Sequence, residues 1–239
     1  MSERSAPTAR PRGRQRASHS LDTVLGEAIA ILDEGGEPAL TFRALATRLG
    51  GGVASIYWYV KSRDELIELA TEEVMGRVLA DSEPLTHGPD PLANVRALAL
   101  ALFDEAVRRP WFGQFMLRNR GMQANSMAMF ERVGRQLMEL DLTPRQRFHA
   151  VSSIISYVVG VAVDLAQPPP REFLESGMAP SEFLAMYADR WRALDPDEYP
   201  FAHQVAGEIA THDDVDVFRS GLDLLLAGLR LQAGAGSAS

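Results

Sequence analysis

The chain contains no cysteine. That single absence excludes disulfides, thiolate-held zinc, iron–sulfur clusters and cysteine nucleophiles together. Lysine is nearly missing too, with one residue, Lys61, beside 23 arginines. The longest nearly uninterrupted apolar run is Ala150 to Val163, closed by Asp164. Fourteen residues fall short of a bilayer span, so no membrane partner is expected. The first residues carry arginine but no apolar core segment, so a secretory signal is not expected and a cytoplasmic location is. No strand-like alternation of useful length occurs, and no repeat of 20–50 residues. Ser/His/acid motifs, a P-loop, a dinucleotide fingerprint after a strand and H-E-x-x-H are all absent. The expectation is a protein that is not an enzyme and needs no cofactor and no metal.

What is present is ordinary globular composition over 239 residues, 46% apolar and 23% charged. The formal charge of −8 is unevenly spread. Residues 1–63 carry +3 and the remainder −11. A basic head on an acidic body permits polyanion binding while the body stays soluble. A solvated tail on a solvated surface would look the same.

Residues 1–19 are rich in Arg, Ser, Pro and Ala and read as a disordered basic arm. From Leu21 the apolar residues Leu21, Val24, Leu25, Ala28, Ile29 and Leu32 fall on one helical face, and Gly35-Gly36 stops it. Thr41 can cap a second, short helix carrying Phe42, Leu45, Ala46 and Leu49, and Gly50-Gly51-Gly52 ends that one. Val53 to Val60 could be a strand on β-propensity, but its flanks are helical and only Ile56 and Val60 need face inward if it is a helix. Ser62-Arg63-Asp64-Glu65 fits a capping box opening a longer helix to about Leu79. Residues 81–91 hold three prolines and a glycine and read as a linker or elbow. Beyond it the pattern predicts helices at 92–108, 111–119, 124–140, 144–166, 181–194, 200–211 and 214–232, punctuated by proline. The tail 234–239 reads as disordered. The fold class is therefore all-α: a three-helix head over 20–80 and a helical body over 92–233, about nine to ten helices in all.

Helix, glycine turn, helix is the grammar of a helix-turn-helix, in which the second helix enters the major groove of double-stranded DNA. Tyr57, Trp58 and Tyr59 are consecutive, and three consecutive residues span about 200° of a helix, so a small domain cannot bury all three. An exposed aromatic beside Lys61 and Arg63 suits phosphate hydrogen bonds and contact with thymine methyls.

The stretch Thr41-Phe42-Arg43-Ala44-Leu45-Ala46-Thr47-Arg48-Leu49-Gly50, followed by Ser55-Ile56-Tyr57-Trp58-Tyr59-Val60-Lys61-Ser62-Arg63-Asp64-Glu65-Leu66, resembles the DNA-binding domain of the tetracycline-repressor (TetR) family. Arg109-Pro110-Trp111, Tyr157-Val158-Val159-Gly160 and Val217 to Leu229 are similar, more loosely, to its C-terminal domain. The resemblance implies a ligand-responsive regulator, a repressor released from a palindromic operator by a small hydrophobic effector. By position, Thr41 would bond a phosphate and Arg43 would reach a guanine edge. Val53, Ala54 and Ser55 would face bases, and Tyr57, Trp58, Tyr59, Lys61 and Arg63 would hold the backbone or rim. Gly51-Gly52 and Val53-Ala54 depart from tetracycline repressors, so the base readout should be more apolar. Leu79 stands where those repressors carry a metal-proximal histidine, so tetracycline–magnesium binding is not implied.

In the body, Ser152, Ser156 and Gly160 form a small-residue stripe, and Phe218, Gly221, Leu222, Leu225 and Gly228 form a second seam. Such seams lie inside a monomeric bundle or between subunits. The resemblance favours a homodimer, with these residues at its interface. Phe103, Trp111, Phe115, Met129, Phe130 and Tyr157 are core residues or, as the resemblance implies, the lining of an effector pocket. His203, His212, Asp213, Asp214 and Asp216 look like metal ligands on paper, but Asp213 or Asp214 can cap the last helix instead. An all-helical enzyme, an adaptor without DNA binding and an activator of the same fold remain the alternatives.

Overall fold

The computed structural model describes residues 19–118 and 123–236. The basic arm up to residue 18 and the last three residues of the tail lie outside it. The described residues form twelve α-helices and no strand. The chain divides into two compact units, Met1–Ala70 and Thr71–Ser239. The division falls inside a helix, ahead of the linker expected at 81–91.

The first unit holds α1 (Leu21–Ala39), α2 (Phe42–Arg48) and α3 (Val53–Ile56), and α4 (Arg63–Ser82) begins in it. Ser20 caps α1 by accepting from the Thr23 amide at 3.1 Å. Its core face is Val24, Leu25, Ala28, Ile29, Ile31 and Leu32, all buried. Gly36 breaks it at φ 65°, as the glycine pair predicted. Leu45, Leu49, Ile56, Val60, Leu66 and Ile67 complete a small aliphatic core. The α2–α3 turn is a Schellman motif. Gly51 N–H donates to Ala46 C=O at 2.9 Å and Gly50 N–H to Thr47 C=O at 3.1 Å, with Gly50 at φ 66°. Only Gly50 of the three glycines needs to be glycine on backbone grounds.

In the second unit α5 (Pro91–Arg108), α6 (Pro110–Arg118), α7 (Ala124–Met138), α8 (Pro144–Leu165) and α12 (Asp214–Gly236) pack as a bundle. Between α8 and α12 run α9 (Arg171–Ser176), α10 (Pro180–Arg192) and α11 (Pro200–Ile209), the last two paired. Helix α9 had no place in the sequence reading; six residues behind three prolines are too few for periodicity to register. Of the two readings of residues 81–91, linker or elbow, the structure has the elbow. The end of α4 passes through a 3-10 turn, Glu83–Thr86, and the buried Asn94 side-chain NH2 shares its two protons among Thr86 C=O, Gly88 C=O and Gln136 Oε1. Residues 234–236 continue α12 instead of fraying.

Helix α8, at 22 residues, exceeds the apolar run and by length and composition could cross a bilayer. Here it packs against α5, α6, α7 and α12. Thr143 and Gln146 cap it reciprocally. On its inner side a stack is built: Phe103 lies flat on Phe218 with centroids 3.6 Å apart, and Tyr157 stacks on Phe218 at 5.5 Å. The Tyr157 hydroxyl donates to Phe218 C=O at 3.2 Å. Burial pushes that phenol above its usual pKa.

Candidate nucleic-acid interface

Helix α3 is one turn, and Tyr57 to Tyr59 continue as a turn rather than as the longer helix expected. Ile56 and Val60 point inward as predicted. The outer surface then presents Val53, Ala54, Tyr57 and Trp58, the last 87% exposed. Tyr57 leans edge-on against Phe42 at 5.0 Å, which fixes its ring while its hydroxyl end stays in solvent.

Thr41 caps α2 by accepting from the Ala44 amide at 3.1 Å. The same hydroxyl keeps its proton for an outside acceptor such as a phosphate oxygen. Four cations lie in the described part of this unit's α2–α4 region, and they divide cleanly. Arg48 is bound to Glu34, and the pair holds the Glu34 carboxyl below its ordinary pKa. Arg63 donates to Leu40 C=O at 2.9 Å and to Glu37 C=O, so it pins the start of α4 to the α1–α2 turn. Arg43 and Lys61 are exposed and have no acidic partner among the described residues.

Two residues expected at the DNA backbone are engaged within the head. Arg63 spends its guanidinium on the internal carbonyls of Leu40 and Glu37. Tyr59, half-buried, donates its hydroxyl to His19 C=O at the entry to α1. Ser55 is also partly engaged, since its hydroxyl donates to Gly52 C=O at 2.6 Å. No sequence signal separated these residues from Arg43 and Tyr57, because their partners are backbone carbonyls.

The start of α4 is capped as the S-x-x-E pattern predicted. The Glu65 amide donates to Ser62 Oγ at 3.0 Å, and the Glu65 carboxylate accepts from the Lys61 amide at 2.6 Å. Further along, within the second unit, the Glu72 carboxylate accepts from the Asn125 amide at 2.7 Å and the Ser126 amide at 3.2 Å. A carboxylate from α4 thus caps α7, a tie the sequence did not announce.

The seam residues sort differently from expectation. Phe218 and Leu222 are fully buried inside the subunit. Gly221 faces Tyr157 so closely that an added Cβ would lie 1.9 Å from its hydroxyl oxygen. These three hold α12 to α8 within one chain. The open stripe of α12 is instead Val217, Leu224 and Leu231, the last two 75% and 76% exposed. On α8 the open side carries Ser153, Ser156 and Gly160, with Ser152 half-buried. A groove of about 490 Å³ between the two helices is lined by His149, Ser153, Leu224, Leu225 and Gly228. Of the expected effector contacts, Phe103, Trp111 and Met129 are core residues, while Phe115, Phe130 and Tyr157 are half-buried. Among the described residues no group of acidic or histidine side chains could hold a metal. Asp213 caps α12, accepting from the Asp216 amide at 2.9 Å, and His212 bonds Asp214.

A helix-turn-helix with an outward-facing apolar and cationic surface, joined to a separate helical body, defines a DNA-binding transcriptional regulator rather than an enzyme. Residues 86–233 match the family described as Tetracyclin repressor-like, C-terminal domain. The HTH-type transcriptional repressor DrrR1 of Streptomyces coeruleorubidus is 28% identical over 93% of this chain and 81% of its own. Among solved structures, SCO7222, a TetR from Streptomyces coelicolor, is 32% identical with a TM-score of 0.75, covering 90% of this chain and 99% of that one. Apo ActR from the same species is 25% identical with a TM-score of 0.76, over 93% and 99%. The chain belongs to the TetR family of transcriptional regulators. As such it is a soluble protein whose partners are operator DNA, a small-molecule effector and a second copy of itself.

Proposed function

We propose that the protein is a cytoplasmic repressor that, as a homodimer, occupies a palindromic operator and leaves it when a small apolar effector enters the body. The observation that carries this is the division of the head's cations. Arg48 and Arg63 serve the fold, while Arg43 and Lys61 stand free beside Thr41, Tyr57, Trp58 and the Val53-Ala54 surface. Arg43 reaches a base edge and Thr41, Tyr57 and Lys61 take phosphates. The relative DrrR1 is named a repressor, which supports that sign of control.

The dimer face consists of Val217, Leu224 and Leu231 of α12 against the small residues of α8. The open side of α8 carries Ser153, Ser156 and Gly160, small residues that let a second helix approach closely. Phe115 and Phe130 line the effector site over the buried Trp111. The effector works through its greater affinity for a body conformation in which α4 is displaced, with Glu72 passing the shift between α4 and α7.

The test is anisotropy of a labelled duplex carrying a palindrome from the DNA upstream of the protein's own gene. Wild type binds it and Arg43→Ala does not, while both remain folded dimers. A protein that sediments as a monomer and ignores the duplex at modest salt refutes the proposal.

A further inference from the structure

The surface of α3 that faces outward is unusually poor in hydrogen-bonding side chains. Gly51 and Gly52 have none, and Val53 and Ala54 are exposed hydrocarbon. Ser55 has its only proton committed to Gly52 C=O, and Thr47 on α2 donates its own to Arg43 C=O at 2.9 Å. Among the described side chains of α2 and α3, Arg43 is the one with uncommitted donors, and the Ser55 and Thr47 hydroxyls keep only acceptor capacity. The major-groove edges of adenine, guanine and cytosine present only donors and acceptors, and thymine alone adds a methyl group. An aliphatic side chain set against a polar edge strips its water and returns no hydrogen bond. Against a thymine methyl it loses nothing and buries apolar area on both sides.

We infer that Val53 and Ala54 select operator positions by the thymine 5-methyl group, with Arg43 supplying the polar base contact. This rests on the proposed DNA binding by α3. Each half-site is then read by methyl contact more than by a hydrogen-bond code along the helix.

The experiment selects tight binders from a random duplex library with the full-length protein, then resynthesises the selected duplex with uracil at each thymine in turn. Uracil removes the methyl and leaves every hydrogen-bonding group in place. One or two positions per half-site should weaken roughly fourfold on losing the methyl, the effect of one buried methyl group. In Val53→Ala one of those effects should shrink toward nothing, and in Ser55→Ala both should persist. Val53 is exposed, so the variant should melt like wild type, which circular dichroism checks. A duplex with all thymines replaced that binds within about twofold of the original overturns the inference while leaving DNA binding intact. So does a uracil effect that is the same in wild type and Val53→Ala, since that locates it in DNA stiffness. Failure to enrich any sequence refutes DNA binding itself, and the inference with it.

Discussion

Gly221 is where the body's packing can be tested most sharply. A Cβ at this position would lie 1.9 Å from Tyr157 Oη and 2.7 Å from Cζ. Neither partner is flexible: the glycine is inside α12 and the phenol is stacked on Phe218. In Gly221→Ala the ring must withdraw by roughly 1.5 Å to restore van der Waals contact. It then loses its hydrogen bond to Phe218 C=O, about 0.5–1.5 kcal/mol. Disturbing the stack costs about as much again, and overpacking adds about 1–3 kcal/mol. Alanine returns about 1 kcal/mol of helix propensity. The net is a loss of roughly 1–5 kcal/mol. Gly228→Ala, with nothing within 4 Å of the added carbon, serves as the control and should be neutral or slightly stabilising in the isolated subunit. Urea unfolding followed at several protein concentrations separates subunit stability from association. Tyr157→Leu should rescue most of the Gly221→Ala loss in a double-mutant cycle. If Gly221→Ala leaves the concentration-independent part unchanged and only weakens dimerisation, the glycine belongs to the intersubunit seam and the packing argument fails.

Arg63→Ala should lower the melting temperature of the head and DNA affinity together, whereas Arg43→Ala should lower affinity alone; parallel thermal melts and anisotropy titrations distinguish the two. Gly50→Ala, forced to φ 66°, should cost about 1 kcal/mol, while Gly52→Ala, at φ −99° with open space around it, should be tolerated in the same chemical-denaturation measurement. Glu72→Ala should destabilise the body by about 1–3 kcal/mol by uncapping two α7 amides, and hydrogen exchange should show those amides, Asn125 and Ser126, losing protection. Tyr157 has a raised pKa in the folded chain, so its contribution is fully present below the unfolded value near 10 and is lost as pH rises through the folded value. Stability measured from pH 8 upward should therefore fall less steeply in Tyr157→Phe than in wild type at the alkaline end.

The helices were legible because nothing competes with them. Apolar residues recur at helical spacing, proline stands at the first position of α5, α6, α8, α10 and α11, and Gly36 and Gly50 sit at the breaks. The helix-turn-helix was legible for the same reason, since its glycine turn and inward aliphatics are local signals. What sequence could not supply was the direction in which an already helical residue points. In α12 leucine or glycine occupies most positions from 221 to 229, so two faces look equally apolar. One carries Phe218 and Leu222 into the core, and the other leaves Leu224 and Leu231 outside. The tie is broken by Tyr157, distant in sequence on α8, whose ring fits only against a residue without a Cβ. Likewise, Arg43 and Arg63 are alike as letters, and only the carbonyls of Leu40 and Glu37, brought to Arg63 where α1 ends, make one a bolt of the scaffold and leave the other for DNA. In both cases the deciding partner is a backbone group or a distant ring. A sequence pattern therefore identifies which residue types a site needs, while the fold decides which copies of them remain free to serve it.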